Sequence, residues 1–136
     1  MKGLKYLSKK NIYIFIVTNQ AGLAKKKFTE KQFEIFNKKF KNFFSKHEIY
    51  FDDIQYCPFH PNAKLKKFKK KSNFRKPGNL MIIKIFRNWF IKKNKSFMIG
   101  DQSKDKIAAK KSGLYFEYIS KDFYSQIKKI SNYLKI

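Results

Sequence analysis

The sequence predicts an α/β fold in three layers, a Rossmann-like parallel sheet with helices on both faces. Three observations lead there. Short β-branched and aromatic runs alternate with stretches of helical periodicity along the whole chain. The first of those runs, residues 11–17 (Asn-Ile-Tyr-Ile-Phe-Ile-Val), is apolar on both faces, as a buried parallel strand is. Polar clusters then follow or flank the strand ends, where open α/β sheets carry their chemistry. The length of 136 residues suits a single domain, 1–136.

Taken in order, residues 2–10 read as a helix, and the run 11–17 ends in the polar turn Thr18-Asn19-Gln20-Ala21-Gly22. Thr29 with Gln32 three residues later makes a capping box. The helix it opens carries Phe33, Phe36, Phe40 and Phe43/Phe44 at helical spacing, a stripe expected in the core. Residues 53–57 give a short strand, and a basic loop follows with six lysines between Lys64 and Lys71. Pro77 suits the first turn of a helix, whose apolar face Leu80, Ile83, Phe86 and Phe90 would supply. Residues 96–101 form another strand with an acidic end, and a helix over 103–111 stops at Gly113, a C′ glycine. Residues 115–119 read as the last strand and 122–135 as the last helix.

Composition narrows the class. Hydrophobic residues make up 43% of the chain and Phe alone contributes 16, enough apolar area to argue against disorder. No run of 18 apolar residues occurs, so no membrane-spanning helix is expected. The basic N-terminus lacks an apolar segment and a small-residue cleavage motif, which makes the cytoplasm the expected location. Cys57 is the one cysteine, which forbids an internal disulfide and a multi-cysteine zinc site.

The net charge of +24 points towards polyanions. Against that, only Arg75 and Arg87 among 33 basic residues are arginines. Recognition surfaces favour the planar fork of Arg, whereas Lys is a point charge. Together with the excess of Phe, Ile, Asn and Tyr, this favours a composition-driven, solvated lysine surface, with nonspecific affinity for polyanions as a by-product.

Three clusters have the chemistry of phosphate handling, which needs positioning and charge neutralisation above all. Thr18 ends a strand where its hydroxyl and neighbouring N–H groups can hold phosphoryl oxygens. Lys76 precedes Pro77 at an expected helix N-terminus and adds a full positive charge. Asp101 ends a strand and is the candidate Mg²⁺ ligand. Asp105, one turn into the next helix, would orient Lys76 or a metal-bound water.

Four segments in register, Val17-Thr18-Asn19-Gln20-Ala21-Gly22, Tyr56-Cys57-Pro58-Phe59-His60-Pro61, Phe74-Arg75-Lys76-Pro77-Gly78 and Met98-Ile99-Gly100-Asp101, resemble one group of the haloacid dehalogenase (HAD) superfamily. It is the D-glycero-D-manno-heptose 1,7-bisphosphate phosphatase and histidinol-phosphatase group, and the likeness runs from about residue 2 to 118. It implies a HAD-like phosphatase using Mg²⁺ on a small sugar phosphate. Thr18 would bond the transferring phosphoryl group, with Asn19, Gln20 and Ala21 lining the substrate site. Arg75 would contact the substrate's second phosphate or polar end, Lys76 would stabilise the phosphoryl group, and Asp101 would ligate Mg²⁺, with Asp105 as a possible second contact.

Two departures from that pattern bear on activity. The group carries a metal loop of the form Cys-x-His then Cys-x-Cys; here Cys57 remains, but Phe59, Ser72 and Phe74 stand at the other positions. Two ligands cannot close a tetrahedral site, so no structural zinc is expected, and His60 is assigned to the hydrogen bonds of its loop. The group also opens with a strand ending in Asp-x-Asp, the nucleophile and the general acid/base. No Asp precedes Asp52, and the adjacent Asp52-Asp53 stand before a strand rather than after one. The expected sheet therefore lacks its first, central strand, and the chain is expected to be inactive alone, as a fragment. Gln102 stands where a lysine often follows the motif Asp.

The leading reading is hydrolysis of D,D-heptose 1,7-bisphosphate in carbohydrate metabolism by a monomeric enzyme with no membrane partner. Histidinol phosphate is the alternative substrate. A basic nucleic-acid-binding protein is the alternative class, for which no paired Cys/His spacing or RNP-like strand is present.

Overall fold

The computed structural model describes residues 1–136, the side chain of Ala24 excepted. The chain groups into two compact units, Met1–Ser72 and Asn73–Ile136.

The first unit contains α1 (Lys2–Ser8), β1 (Phe15–Asn19), α2 (Ala21–Ala24), α3 (Glu30–Ser45) and β2 (Asp53–Cys57). β1 and β2 pair in parallel, in the register Phe15↔Asp53 to Asn19↔Cys57. The strand predicted from residue 11 begins four residues later. Asp52 explains the delay: its carboxylate accepts the N–H of Ile14 at 2.7 Å, and its own N–H donates to the Ile14 carbonyl at 2.8 Å. This exchange closes the pair just before the ladder starts.

α3 opens on the predicted capping box. The Thr29 hydroxyl accepts the Gln32 N–H at 3.1 Å, and the Gln32 side chain accepts the Thr29 N–H at 2.9 Å. The phenylalanine stripe behaves differently from expectation. Phe33 is buried in a cluster with Leu23, Ala63 and Phe68, but Phe36 and Phe43 are 59% and 53% exposed. Phe40 stacks on Phe51 and Phe44 meets it edge-on, with ring centroids 5.5 and 5.2 Å away. Two small aromatic clusters thus take one edge each of the stripe and leave its middle and end in solvent.

The lysine-rich loop is anchored from beneath. A 3₁₀ turn over Lys66–Phe68 turns Phe68 inward, and the His60 N–H donates to the Phe68 carbonyl at 3.0 Å. His60 Nδ1 accepts the Asn62 N–H at 3.0 Å, the loop role assigned from the sequence.

The second unit contains α4 (Leu80–Asn88), β3 (Phe97–Gly100), α5 (Ser103–Lys111), β4 (Tyr115–Tyr118) and α6 (Phe123–Leu134). β3 and β4 are parallel, from Phe97↔Tyr115 to Gly100↔Tyr118. Its core consists of Met81, Ile82, Ile85, Ala108, Ala109, Ile127 and Ile130. The expected face of α4 is corrected by one step. The helix starts at Leu80 and ends at Asn88, so it buries Met81, Ile82 and Ile85, while Phe90 lies past its end and is 85% exposed. The four consecutive apolar residues Leu80–Ile83 span a full turn, so the buried face depends on where the helix begins. At the end of α5 the predicted glycine does its work. Gly113 takes φ +72°, its N–H bonds the Lys110 carbonyl, and the Leu114 N–H bonds that of Ala109, a Schellman closure.

The chain therefore forms two two-stranded parallel sheets, β1–β2 and β3–β4. Among the described residues no helix is long and apolar enough to cross a membrane.

Thr29→Ala removes an N-cap acceptor and half of a reciprocal pair. It should lower stability by about 1 kcal/mol in urea denaturation without changing the m-value.

Candidate phosphate site

The first unit presents the Thr18-Asn19-Gln20-Ala21 segment at the end of β1. The Thr18 hydroxyl accepts from Gln20 Nε2 at 3.2 Å, and the Gln20 N–H donates to the Cys57 carbonyl at 2.8 Å, tying the turn to the end of β2. α2 begins immediately at Ala21, with Gln20 as its N-cap residue. The chain thus turns from strand to helix within two residues.

The second unit holds Arg75, Lys76, Asp101 and Asp105. Lys76 Nζ lies 2.6 Å from Asp105 Oδ1, and the two residues are only 9% and 3% exposed. The other oxygen of Asp105 accepts the N–H groups of Asp101 and Gln102 at 3.1 and 3.0 Å. One carboxylate thereby fixes both the lysine and the turn that carries Asp101. Asp105 thus meets Lys76 through one oxygen and two backbone N–H groups through the other. Asp101 itself is exposed at the end of β3. Mg²⁺ binds proteins through one or two carboxylates, with phosphate oxygens and water completing its shell. Asp101 fits as one such ligand. Among the described residues no group of three His, Cys, Asp or Glu side chains converges as a ready-made metal site, the surroundings of Cys57 and His60 included.

Lys76 reaches this position by a route that differs from the predicted one. Pro77 does not open a helix; α4 starts three residues later, with Asn79 as its N-cap residue. Residues 73–78 form a tight turn instead, closed by Gly78 N–H to the Arg75 carbonyl at 2.8 Å and Leu80 N–H to the Asn73 carbonyl at 3.1 Å. A β-carbon at Gly78 would overlap the backbone of Asn73, so the turn admits no side chain there. The charge of Lys76 is therefore held by Asp105 rather than aimed by a helix dipole. Arg75 Nη1 is buried with no hydrogen-bond partner among the described residues, a donor suited to an anion.

Gly100 is a site residue that the sequence reading passed over. A β-carbon there would collide with the Asp105 side chain, so the glycine creates the space in which the carboxylate packs against the end of β3. Its adjacency to Asp101 was the available signal, but the partner four residues on emerges only once α5 folds back.

Burial alone would raise the Asp105 pKa. The Lys76 ammonium bond, the Gln102 N–H, the Lys76 charge and the Asp101 N–H together outweigh it and hold the carboxyl below its usual value. A depressed carboxyl stabilises the fold fully above the unfolded pKa, about 3.9, and loses that contribution as pH falls through the folded value. Asp105→Asn should destabilise the chain at pH 7 by roughly 3–5 kcal/mol, because Lys76 is left buried and unpaired. The difference from the parent should shrink below about pH 4, as followed by urea denaturation at a series of pH values. Gly100→Ala should weaken the same contact and lower the melting temperature.

A sequence model of the polynucleotide kinase 3 phosphatase family matches residues 1–132. A D-glycero-beta-D-manno-heptose-1,7-bisphosphate 7-phosphatase of Rhodopseudomonas palustris is 30% identical over 112 residues, covering 82% of this chain and 62% of that protein. The Escherichia coli K12 protein of the same name is 33% identical over 107 residues, covering 79% and 56%. The chain thus spans about 60% of the length of the curated relatives it matches. Among solved structures, a Mesorhizobium loti protein described as HAD-like superposes with a TM-score of 0.82 at 18% identity, over 97% of this chain and 69% of that one. The D,D-heptose 1,7-bisphosphate phosphatase of B. bronchiseptica, solved with magnesium and phosphate, gives 0.74 at 20% identity, over 94% and 68%. These likenesses establish the HAD-like α/β fold that the motifs implied. With one family matched across nearly its whole length, the chain belongs to the polynucleotide kinase 3 phosphatase family.

Proposed function

We propose that residues 1–136 are the phosphate-holding body of a phosphoric monoester hydrolase acting on a sugar phosphate, D-glycero-D-manno-heptose 1,7-bisphosphate, and that both units belong to one phosphatase domain. The observation that carries the reading is the buried Lys76–Asp105 pair at 2.6 Å, with Asp101 tied to the same carboxylate. A lysine held rigid in low dielectric is suited to neutralising a phosphoryl group, since preorganised charge needs no reorganisation during reaction. The choice of substrate is supported by the relatives, which are heptose-1,7-bisphosphate 7-phosphatases at 30–33% identity.

In this reading Lys76 pairs with the transferring phosphoryl group and Asp105 positions Lys76. The hydroxyl of Thr18 donates to a phosphoryl oxygen, and Asn19, Gln20 and Ala21 line the substrate. The partnerless Nη1 of Arg75 takes the second phosphate or another polar end of the substrate. Asp101 ligates Mg²⁺, which when bound would offset phosphoryl charge. Residues 1–136 contain no Asp-x-Asp. They hold and neutralise phosphate, and covalent attack needs a nucleophile from outside this span.

Purified 1–136 should release no phosphate from heptose 1,7-bisphosphate with Mg²⁺ present; turnover there would contradict the assignment. When the chain is joined to an Asp-x-Asp strand that restores activity, Lys76→Ala and Asp101→Ala should each lower kcat by roughly 10²-fold or more. Arg75→Ala should act mainly on the preference between bisphosphate and monophosphate. Mild effects from both Lys76 and Asp101 would mean that the residue assignment is wrong.

A further inference from the structure

Helix α3 carries apolar side chains on a face that neither aromatic cluster covers. Ile35, Phe36 and Phe43 are 47%, 59% and 53% exposed. Phe36 and Phe43 stand two turns, about 10 Å, apart along the helix. Their rings meet those of Phe40 and Phe44, with centroids 6.0 and 5.3 Å away. The exposed rings are therefore the outer edge of one continuous aromatic band, and exposed apolar surface of that kind marks an interaction site.

Cations follow the band with the same period. Lys39 comes three residues after Phe36 and Lys46 three after Phe43, so both lie on one flank of the band, and both are exposed. The acids of α3 are directed elsewhere. At about 100° per residue, Glu34 points about 160° away from Phe36, and Glu30 lies 3.3 Å from Lys67. Past the end of the helix, Glu48 pairs with Lys5 of α1 at 3.4 Å, and residues 1–29 contain no acid at all. Aromatic area and positive charge thus share one face.

We propose that this face of α3 docks reversibly on an anionic lipid bilayer. The helix lies in the plane of the interface, with Ile35, Phe36 and Phe43 at the boundary of headgroups and acyl chains and Lys39 and Lys46 on anionic headgroups. Charge selects this occupant. A second copy packed antiparallel on the same face would bring Lys39 against Lys39, and like charges so placed oppose association. An anionic leaflet attracts each lysine instead, and a flat layer covers the convex surface of a helix without needing a groove. The lack of a spanning helix bears on crossing a bilayer, not on resting against one.

The test is co-sedimentation of the intact 136-residue chain with vesicles of phosphatidylcholine alone, or of equimolar phosphatidylcholine and phosphatidylglycerol, at about 0.1 M salt. The chain should sediment with the mixed vesicles and stay behind with phosphatidylcholine alone. Phe36→Ser/Phe43→Ser should weaken partitioning roughly tenfold or more, and Lys39→Gln/Lys46→Gln should weaken it by roughly tenfold. Phe90→Ser/Tyr133→Ser removes two rings of the other unit that are 85% and 67% exposed, and serves as the control. It should change partitioning by less than about twofold. Circular dichroism confirms that each variant folds. Failure to sediment with the mixed vesicles would overturn the proposal. So would equal losses in the control, or binding that needs the lysines and ignores Phe36 and Phe43, since either means diffuse adhesion.

Discussion

The buried pair between Lys76 and Asp105 is the constraint on which the second unit's candidate site depends. Two opposite charges less than a tenth exposed are tolerable only because each is the other's partner, and because the remaining carboxylate oxygen takes two backbone N–H groups. Three separate pieces of sequence are fixed by that one group: the turn 73–78, the end of β3 and the first turn of α5. Gly100 makes the arrangement sterically possible, and Gly78 permits the tight turn that brings Lys76 in. In the proposed reading, the positive charge of Lys76 is in place before any ligand arrives.

The rest of the fold is organised around strand ends. Each parallel pair finishes in a polar turn, Thr18-Asn19-Gln20 after β1 and Asp101-Gln102 after β3, and each turn runs straight into a helix. Helix α5 is secured at both ends, by Asp105 at its start and by the Schellman closure at Gly113. The element bearing the key carboxylate is thus held independently of the ligand. The lysine loop has a different logic. Phe68 anchors it from below, its cations face solvent, and it stands apart from the candidate phosphate site.

Much of this was legible in the sequence where a local rule decides the outcome. The Thr29–Gln32 box, the Gly113 stop and the strand at 53–57 depend on neighbours within a few residues and read correctly, and the last strand, expected over 115–119, ends one residue earlier at Tyr118. The four motifs pointed to the HAD-like fold because their order and spacing are specific together. What failed to read depends on distant partners. The Asp52 carboxylate captures Ile14 and delays β1. The turn at Gly78 displaces the start of α4 and rotates its buried face. The clusters around Phe33 and Phe51 divide the α3 stripe and leave Phe36 and Phe43 in solvent. Asp105 was visible as a candidate, but its engagement with Lys76 through one oxygen and with two N–H groups through the other follows only from the folded turn.

The central claim, that Lys76 is a preorganised phosphate-binding charge, is tested most directly without catalysis. Inorganic phosphate titrated into ¹⁵N-labelled 1–136 and followed by NMR should shift the amides of residues 75–78 and 100–102 along one saturable curve. Lys76→Met should abolish those shifts while the spectrum stays folded. Saturable shifts at the same amides in Lys76→Met, or parent shifts confined to the lysine loop, would contradict the account.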